Sequence, residues 1–216
     1  VLDPGHGGDH RGAVTAHGAF EKDVVLSVAL HARRELEKRG VRVLMTRDAD
    51  RTIELSDRIR IANEAGASVF VSIHANSSPL RPRRGVETYV LSPRSSDDTA
   101  HALALLENDD GSRDRPEMGD VTGGGVSMRP ASDLDLILDD LTLSVAHEGS
   151  AGIAKSIQDR LGRHPGLGPS RGLRQAPFRV LRGARMPAVL VEIGYVTNAE
   201  QSAVLESPAG QRASGE

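Results

Sequence analysis

The chain has 216 residues, 38% hydrophobic, 26% charged and only 2% aromatic, with a net charge of −3 and no cysteine. That length suits one α/β domain with a core of Val, Leu, Ile and Ala, and the near-neutral balance argues against nucleic acid or an anionic membrane as a main partner. The missing cysteines exclude disulfides, thiol nucleophiles and Cys-ligated zinc, so any metal must be held by His, Asp or Glu. No apolar run approaches the roughly 20 residues that span a bilayer. No signal peptide is readable, and an opening inside a strand-like segment is what an excised or processed domain would show.

The opening stretch, Val1-Leu2-Asp3-Pro4-Gly5-His6-Gly7-Gly8, runs from an apolar start into a sharp turn that brackets one histidine with glycines. Such a turn either cradles an anion with backbone N–H groups or holds an imidazole in the open for a metal. A nucleotide loop wants a Lys-Ser/Thr pair or a third spaced glycine opening a helix, and neither is present, which favours the metal. Residues 9–19 read as a loop carrying His10 and His17. A helix is predicted from Phe20 to Arg39, stopped by Gly40, with Val25, Val28, Ala29, Ala32 and Leu36 on its apolar face. Extending that face back one turn reaches Glu21, whose carboxylate serves either the helix dipole or a function, with equal weight on position alone.

Residues 41–45 read as a strand and 53–66 as a helix with Leu55, Ile59 and Ala62 inward. Residues 68–76 form a near-continuous apolar run, the mark of a strand buried on both faces, which ends at His74. Alone, a histidine there is more often a satisfied polar residue than a ligand. Residues 85–91 alternate like a strand nearer the edge. Helical stretches follow at 99–108 and 133–147, separated by a Gly-, Pro-, Asp- and Arg-rich segment, 109–132, expected to be mobile. An excursion as long as 92–150 is usually functional or disordered. A helix at 150–163, a strand at 178–181, a doubly buried strand at 188–195, a short helix at 199–205 and a loose tail at 208–216 complete the prediction. The last strand carries Glu192 in its apolar run, and a buried carboxylate needs a metal, a donor or a raised pKa.

Ligands collect at the carboxyl ends of strands in open α/β sheets. His6, His74 and Glu192 each follow or close such an end, and Glu21 opens the helix after the first strand, so four suitable groups share one rim. Two imidazoles and one carboxylate are the zinc set of a hydrolytic site with a position left for water; the remaining carboxylate can then carry the proton. No HExxH pattern is present.

These landmarks resemble the zinc-dependent N-acetylmuramoyl-L-alanine amidases, the periplasmic amidases of cell separation. The matching stretches are DPGHGG at 3–8, Glu21 ahead of a long helix, TRD at 46–48, SIHAN at 72–76, RGVETYVLS at 84–92 and LVEIGYVTN at 190–198, in the family's order over nearly the whole chain. The resemblance implies a single α/β domain over 1–216, a twisted mixed sheet of about six strands with helices on both faces. It implies one zinc ion bound by His6, Glu21 and His74, with Glu192 as catalytic acid/base, and hydrolysis of the amide joining N-acetylmuramic acid to L-alanine in peptidoglycan by a monomer in the periplasm. A subgroup carries an inserted helix that plugs the site until a LytM-like activator displaces it. The excursion at 92–150 resembles that insert, with Glu107 of Leu105-Leu106-Glu107-Asn108 as the inhibitory ligand. Two departures stand out: the family's first strand begins a few residues before Val1, and its closing helix is not readable in SPAGQRASGE.

Two alternatives compete: a catalytically silent module binding peptidoglycan or an activator, and another zinc hydrolase such as a peptidase or deacetylase. His10, His17, His31, His101, His147 and His164 are read as loop or surface residues. Arg47 is assigned an ion pair with a nearby acid, ahead of a substrate contact.

Overall fold

The computed structural model describes residues 1–108, 133–164 and 166–215, and for 133–145 and 147 the backbone alone. Its centre is a five-stranded mixed sheet in the order β1-β2-β5-β3-β4: β1 Leu2–Pro4, β2 Phe70–Asn76, β3 Val86–Leu91, β4 Ser170–Ala176 and β5 Ala188–Tyr195. Strands β1, β2 and β5 run parallel, β3 is antiparallel to β5, and β4 is parallel to β3. The carboxyl ends of β1, β2 and β5 therefore share one rim with the amino ends of β3 and β4, and that rim holds the site.

Period-two alternation gives each face its own core. On one face, Ile73, Val189, Val191 and Ile193 pack against α1 (Glu21–Lys38) and the later turns of a long helix beginning at Asp133. The α1 contacts come from Val24, Val25, Val28, Ala29 and Ala32, a helical stripe buried to the last residue. On the other face, Phe70, Tyr89, Ala188 and Leu190 meet α2 (Leu55–Glu64) and α3 (Asp98–Asn108). Helices cover both faces, as expected of an α/β domain. Among the described residues no helix is long and apolar enough to cross a membrane.

Several predicted elements differ. The expected sixth strand at 41–45 reduces to a single bridge, Leu2 to Met45, because β1 offers only three residues to pair with. Residues 178–181 are not a strand. Phe178, Val180 and Leu181 are buried, but Arg179–Leu181 form one 3₁₀ turn that closes the second core, and a short apolar run cannot distinguish the two by pattern. The strand in this region is instead β4, Ser170–Ala176, an edge strand whose polar sequence hid it. The two helices predicted at 133–147 and 150–163 are one, α4 (Asp133–Leu161). The tail is not loose: after α5 (Ala199–Glu206), α6 (Pro208–Gly215) packs on α1, where Ser27 donates to Gln211 at 2.6 Å. The predicted mobile segment at 109–132 lies outside the described residues.

Candidate metal centre

The opening turn is built by two buried arginines. Arg58 donates to Asp3 Oδ1 at 2.7 Å, to the Pro4 carbonyl at 2.8 Å and to the His6 carbonyl at 2.7 Å. Arg47 donates to the carbonyls of Pro4, Gly5 and Lys22 at 3.0, 2.7 and 2.8 Å. Burial, then the neighbouring Arg58 charge, lowers the Arg47 pKa to about 10. Arg47 is fully buried on backbone oxygens, so the ion pair assigned to it is replaced by a carbonyl-binding role; Arg58 is the arginine paired with an acid.

Held this way, His6 adopts φ 56°, the one positive φ outside glycine among the described residues. That conformation costs a β-carbon residue strain that the surrounding structure must hold in place. The turn also needs its glycines for space. A Cβ on Gly5 would stand 2.4 Å from the His74 ring, and one on Gly12 would stand 2.6 Å from Glu21 Oε2 and 2.7 Å from His6 Cδ2.

His6, Glu21, His74 and Glu107 each offer a donor atom, and the four atoms all lie within 4.8 Å of one another. His6 Nε2 is 3.0 Å from Glu21 Oε1 and 3.4 Å from Glu107 Oε2; His74 Nδ1 is 3.4 Å and 2.9 Å from the same two oxygens. The separations are short, but the directions are wrong for hydrogen bonds: His6 Nε2, His74 Nδ1 and Glu107 Oε2 are buried and make none. Glu21 is fixed from behind, its Oε1 accepting from the Ala75 N–H and its Oε2 from the Ala13 N–H, both at 2.9 Å. Burial pushes the Glu21 carboxyl up, but His6 and His74 outweigh it and hold the group well below the usual range. Burial likewise lowers His74, and Glu107 and Glu21 reverse this to hold it well above a free imidazole. Unpartnered nitrogens and oxygens converging in a buried space fit a divalent metal with N/O preference.

Glu192 stands beside this group. It occupies the register position opposite His74 on β5, fully buried, with neither carboxylate oxygen hydrogen-bonded. Burial first, then Glu107, Glu21 and Glu87, raise it well above a normal carboxyl despite the opposing effect of His74. Its other neighbour, Glu87, was not singled out from the sequence, although it is an inward-facing acid in an alternating strand. Glu87 is fully buried and saturated: Oε2 accepts from Tyr89 at 2.7 Å and Asn76 at 3.3 Å, Oε1 from Arg171 at 2.6 Å and Tyr195 at 3.2 Å. Burial, then the Glu87 charge, raises both tyrosines, which therefore remain donors.

The other histidines stay apart from the four. His17 meets Glu206 at 3.2 Å, His101 approaches Ser95, His164 accepts from the Gly166 N–H, His31 lies on α1, and His10 bridges back to Gly7. The His147 side chain is outside the described residues.

Residues 1–216 match the N-acetylmuramoyl-L-alanine amidase family. The chain belongs to that family. It is 34% identical over 212 residues to N-acetylmuramoyl-L-alanine amidase AmiC of Neisseria meningitidis, covering 98% of this chain and 49% of that protein. It is also 34% identical to AmiA of Escherichia coli K12, covering 97% of this chain and 69% of the relative. This amidase-family chain thus spans about half the length of AmiC. Among solved structures, N-acetylmuramoyl-L-alanine amidase AmiC2 of Nostoc punctiforme superposes with a TM-score of 0.70 at 29% identity, over 99% of this chain and 88% of that one.

Proposed function

We propose that the chain is a zinc-dependent N-acetylmuramoyl-L-alanine amidase of cell-wall remodelling and daughter-cell separation, acting outside the cytoplasm as a monomer and held inactive by its own insert. The observation that carries the reading is the convergence of three unpartnered groups, His6, His74 and Glu107, on the backbone-anchored Glu21, beside an unpaired buried acid, Glu192. His6, Glu21 and His74 are the three resident ligands, since Glu21 is anchored by two backbone N–H groups and both histidines sit on braced backbone. Zinc there supplies Lewis-acid polarisation of the scissile carbonyl and a water acidic enough to attack at neutral pH. Glu192, unpaired and desolvated, accepts the proton from the attacking water and delivers it to the leaving nitrogen of L-alanine. Glu87 holds the floor beneath it, each of its oxygens already accepting from two donors.

Glu107 supports the inhibited state. Catalytic zinc sites carry three protein ligands and an open position, whereas four protein ligands close a site. Glu107 comes from α3, inside the insert at about 92–150, and its neighbours Leu105 and Leu106 are 58% and 64% exposed. An exposed apolar pair immediately before the blocking carboxylate is a handle that a LytM-like activator can grip.

Stem peptides released from purified peptidoglycan test the reading. Release should leave an intact lactyl sugar and a free L-alanine amine, stop on chelation, and resume with zinc. A zinc-loaded Glu107→Ala chain that releases nothing would leave the silent binding module as the better description.

A further inference from the structure

A polar row crosses the sheet on the face that carries the metal centre. His74 on β2 is in register with Glu192 on β5, Glu192 with Glu87 on β3, and Glu87 Oε1 accepts from Arg171 Nε on β4 at 2.6 Å. The row runs from the metal cluster through the proposed proton carrier to a guanidinium at the sheet's far edge. Arg171 is partly exposed, with 25% of its side chain open to solvent, and its guanidinium lies 5.7 Å from the centre of the Tyr195 ring. Arg83 approaches the same ring at 5.9 Å. Among the described residues the side-chain partners of Arg171 are Glu87, which takes its Nε, and the Tyr195 hydroxyl, and no carboxylate or carbonyl takes its terminal Nη groups. Its Nε is fixed by a buried acid, so the fork is aimed while keeping N–H groups for an incoming acceptor.

Resting on the amidase reading, the geometry points to Arg171 as a specificity-determining residue that binds a free carboxylate of the stem peptide, with Tyr195 and Arg83 completing the pocket. Three strand spacings of about 4.8 Å separate the His74 and Arg171 backbones, and the fork, folded back onto Glu87, stands roughly 10–14 Å along the row from the metal cluster. An extended peptide covers about 3.3–3.6 Å per residue. A carboxylate within the first few residues beyond the scissile amide therefore reaches it. The chemistry matches: a planar guanidinium whose two terminal nitrogens still offer N–H groups binds a carboxylate bidentately, and a neutral amide cannot replace that charge-assisted pair. The Glu87 carboxylate makes Arg171 rigid and Tyr195 keeps one face of it dry.

The test uses the zinc-loaded chain with Glu107→Ala, so that the inhibitory carboxylate does not compete. Muramoyl peptides with the stem carboxylates free or amidated are compared for kcat/KM and, separately, for binding to the same chain carrying Glu192→Gln. We expect the free-carboxylate peptide to be preferred by about tenfold to a hundredfold in both measurements. Arg171→Gln should remove the preference by lowering only the free-carboxylate values. Equal loss on both peptides would make Arg171 a structural partner of Glu87 and overturn the assignment, as would no preference in the parent chain. Failure of the amidase reading would appear as no turnover of either peptide, while selective binding would still report on Arg171.

Discussion

Glu87 and Glu192 face each other across the antiparallel pair β3–β5, both fully buried, and only Glu87 has hydrogen-bond donors. Two acids in one low-dielectric space have been given opposite environments. Glu87 accepts from an arginine, two phenols and an amide, whereas Glu192 has no donor and is left free to take up and release a proton. Glu192→Gln keeps the shape and removes the proposed proton carrier. It should retain one zinc per chain while kcat falls by about 10²–10⁴. Wild-type turnover in that variant would reassign the proton transfer.

The same residue should cost stability. A carboxyl whose folded pKa lies above its unfolded value imposes no penalty at pH below the unfolded value. The penalty grows as pH rises through that value and saturates above the folded one. In metal-free protein, Glu192→Gln should therefore raise Tm at neutral pH, by about 2–4 °C per kcal/mol relieved, and the gain should vanish near pH 4. Thermal melts at both pH values check this, and a gain that grows on acidification would contradict it.

Glu107, the proposed inhibitory ligand, is seated by the residue after it. Asn108 Nδ2 donates to the Pro177 carbonyl at 3.0 Å, its Oδ1 accepts from the Arg179 N–H at 2.7 Å, and Arg179 Nη1 reaches its carbonyl at 3.3 Å. Arg174 pairs with Asp97 at the other end of α3. Asn108→Ala removes the side-chain bonds without touching the metal centre, so basal hydrolysis should rise by about tenfold. Unchanged basal activity with full activator response would remove Asn108 from the latch. Deleting the insert is a poorer experiment, because Ala100, Leu103 and Ala104 of α3 are part of the second core.

Much of this was legible because the informative residues are local. Glycines around His6, an acid at the start of an apolar helix and a histidine closing an apolar strand can each be read in a window of eight residues. The buried strands β2 and β5 announce themselves by unbroken apolar runs. What could not be read depends on partners distant in sequence. Arg47 and Arg58 both sit on surface-like helical or loop sequence, and only the fold decides which meets Asp3. Strand β4 has almost no apolar pattern because it is an edge, and its pairing with β3 supplies the hydrogen bonds that its sequence does not advertise. The role of Glu87 needed Tyr89, Tyr195 and Arg171 from three strands.

His74 tests the metal directly. His74→Ala removes one of the two imidazoles, and zinc stoichiometry after dialysis should fall well below one per chain. The fold should persist, because His74 belongs to neither apolar core, to which β2 contributes Phe70, Ile73 and Ala75. A folded variant still holding one zinc would show that His74 is not a ligand.

Gly5 tests whether the turn, and not only the ligands, sets metal affinity. A methyl group there would overlap the His74 ring at 2.4 Å from Cε1 and Nε2, and the imidazole must swing away. Gly5→Ala should weaken zinc binding by about 10–100-fold, the usual cost of disturbing a ligand's support. Gly152 in α4 is the matched control, with open space around it and no positive φ, so Gly152→Ala should stabilise the fold by about 0.5–1 kcal/mol and leave zinc affinity alone. If Gly5→Ala binds zinc as tightly as Gly152→Ala does, the close approach of Gly5 to His74 has no bearing on the metal.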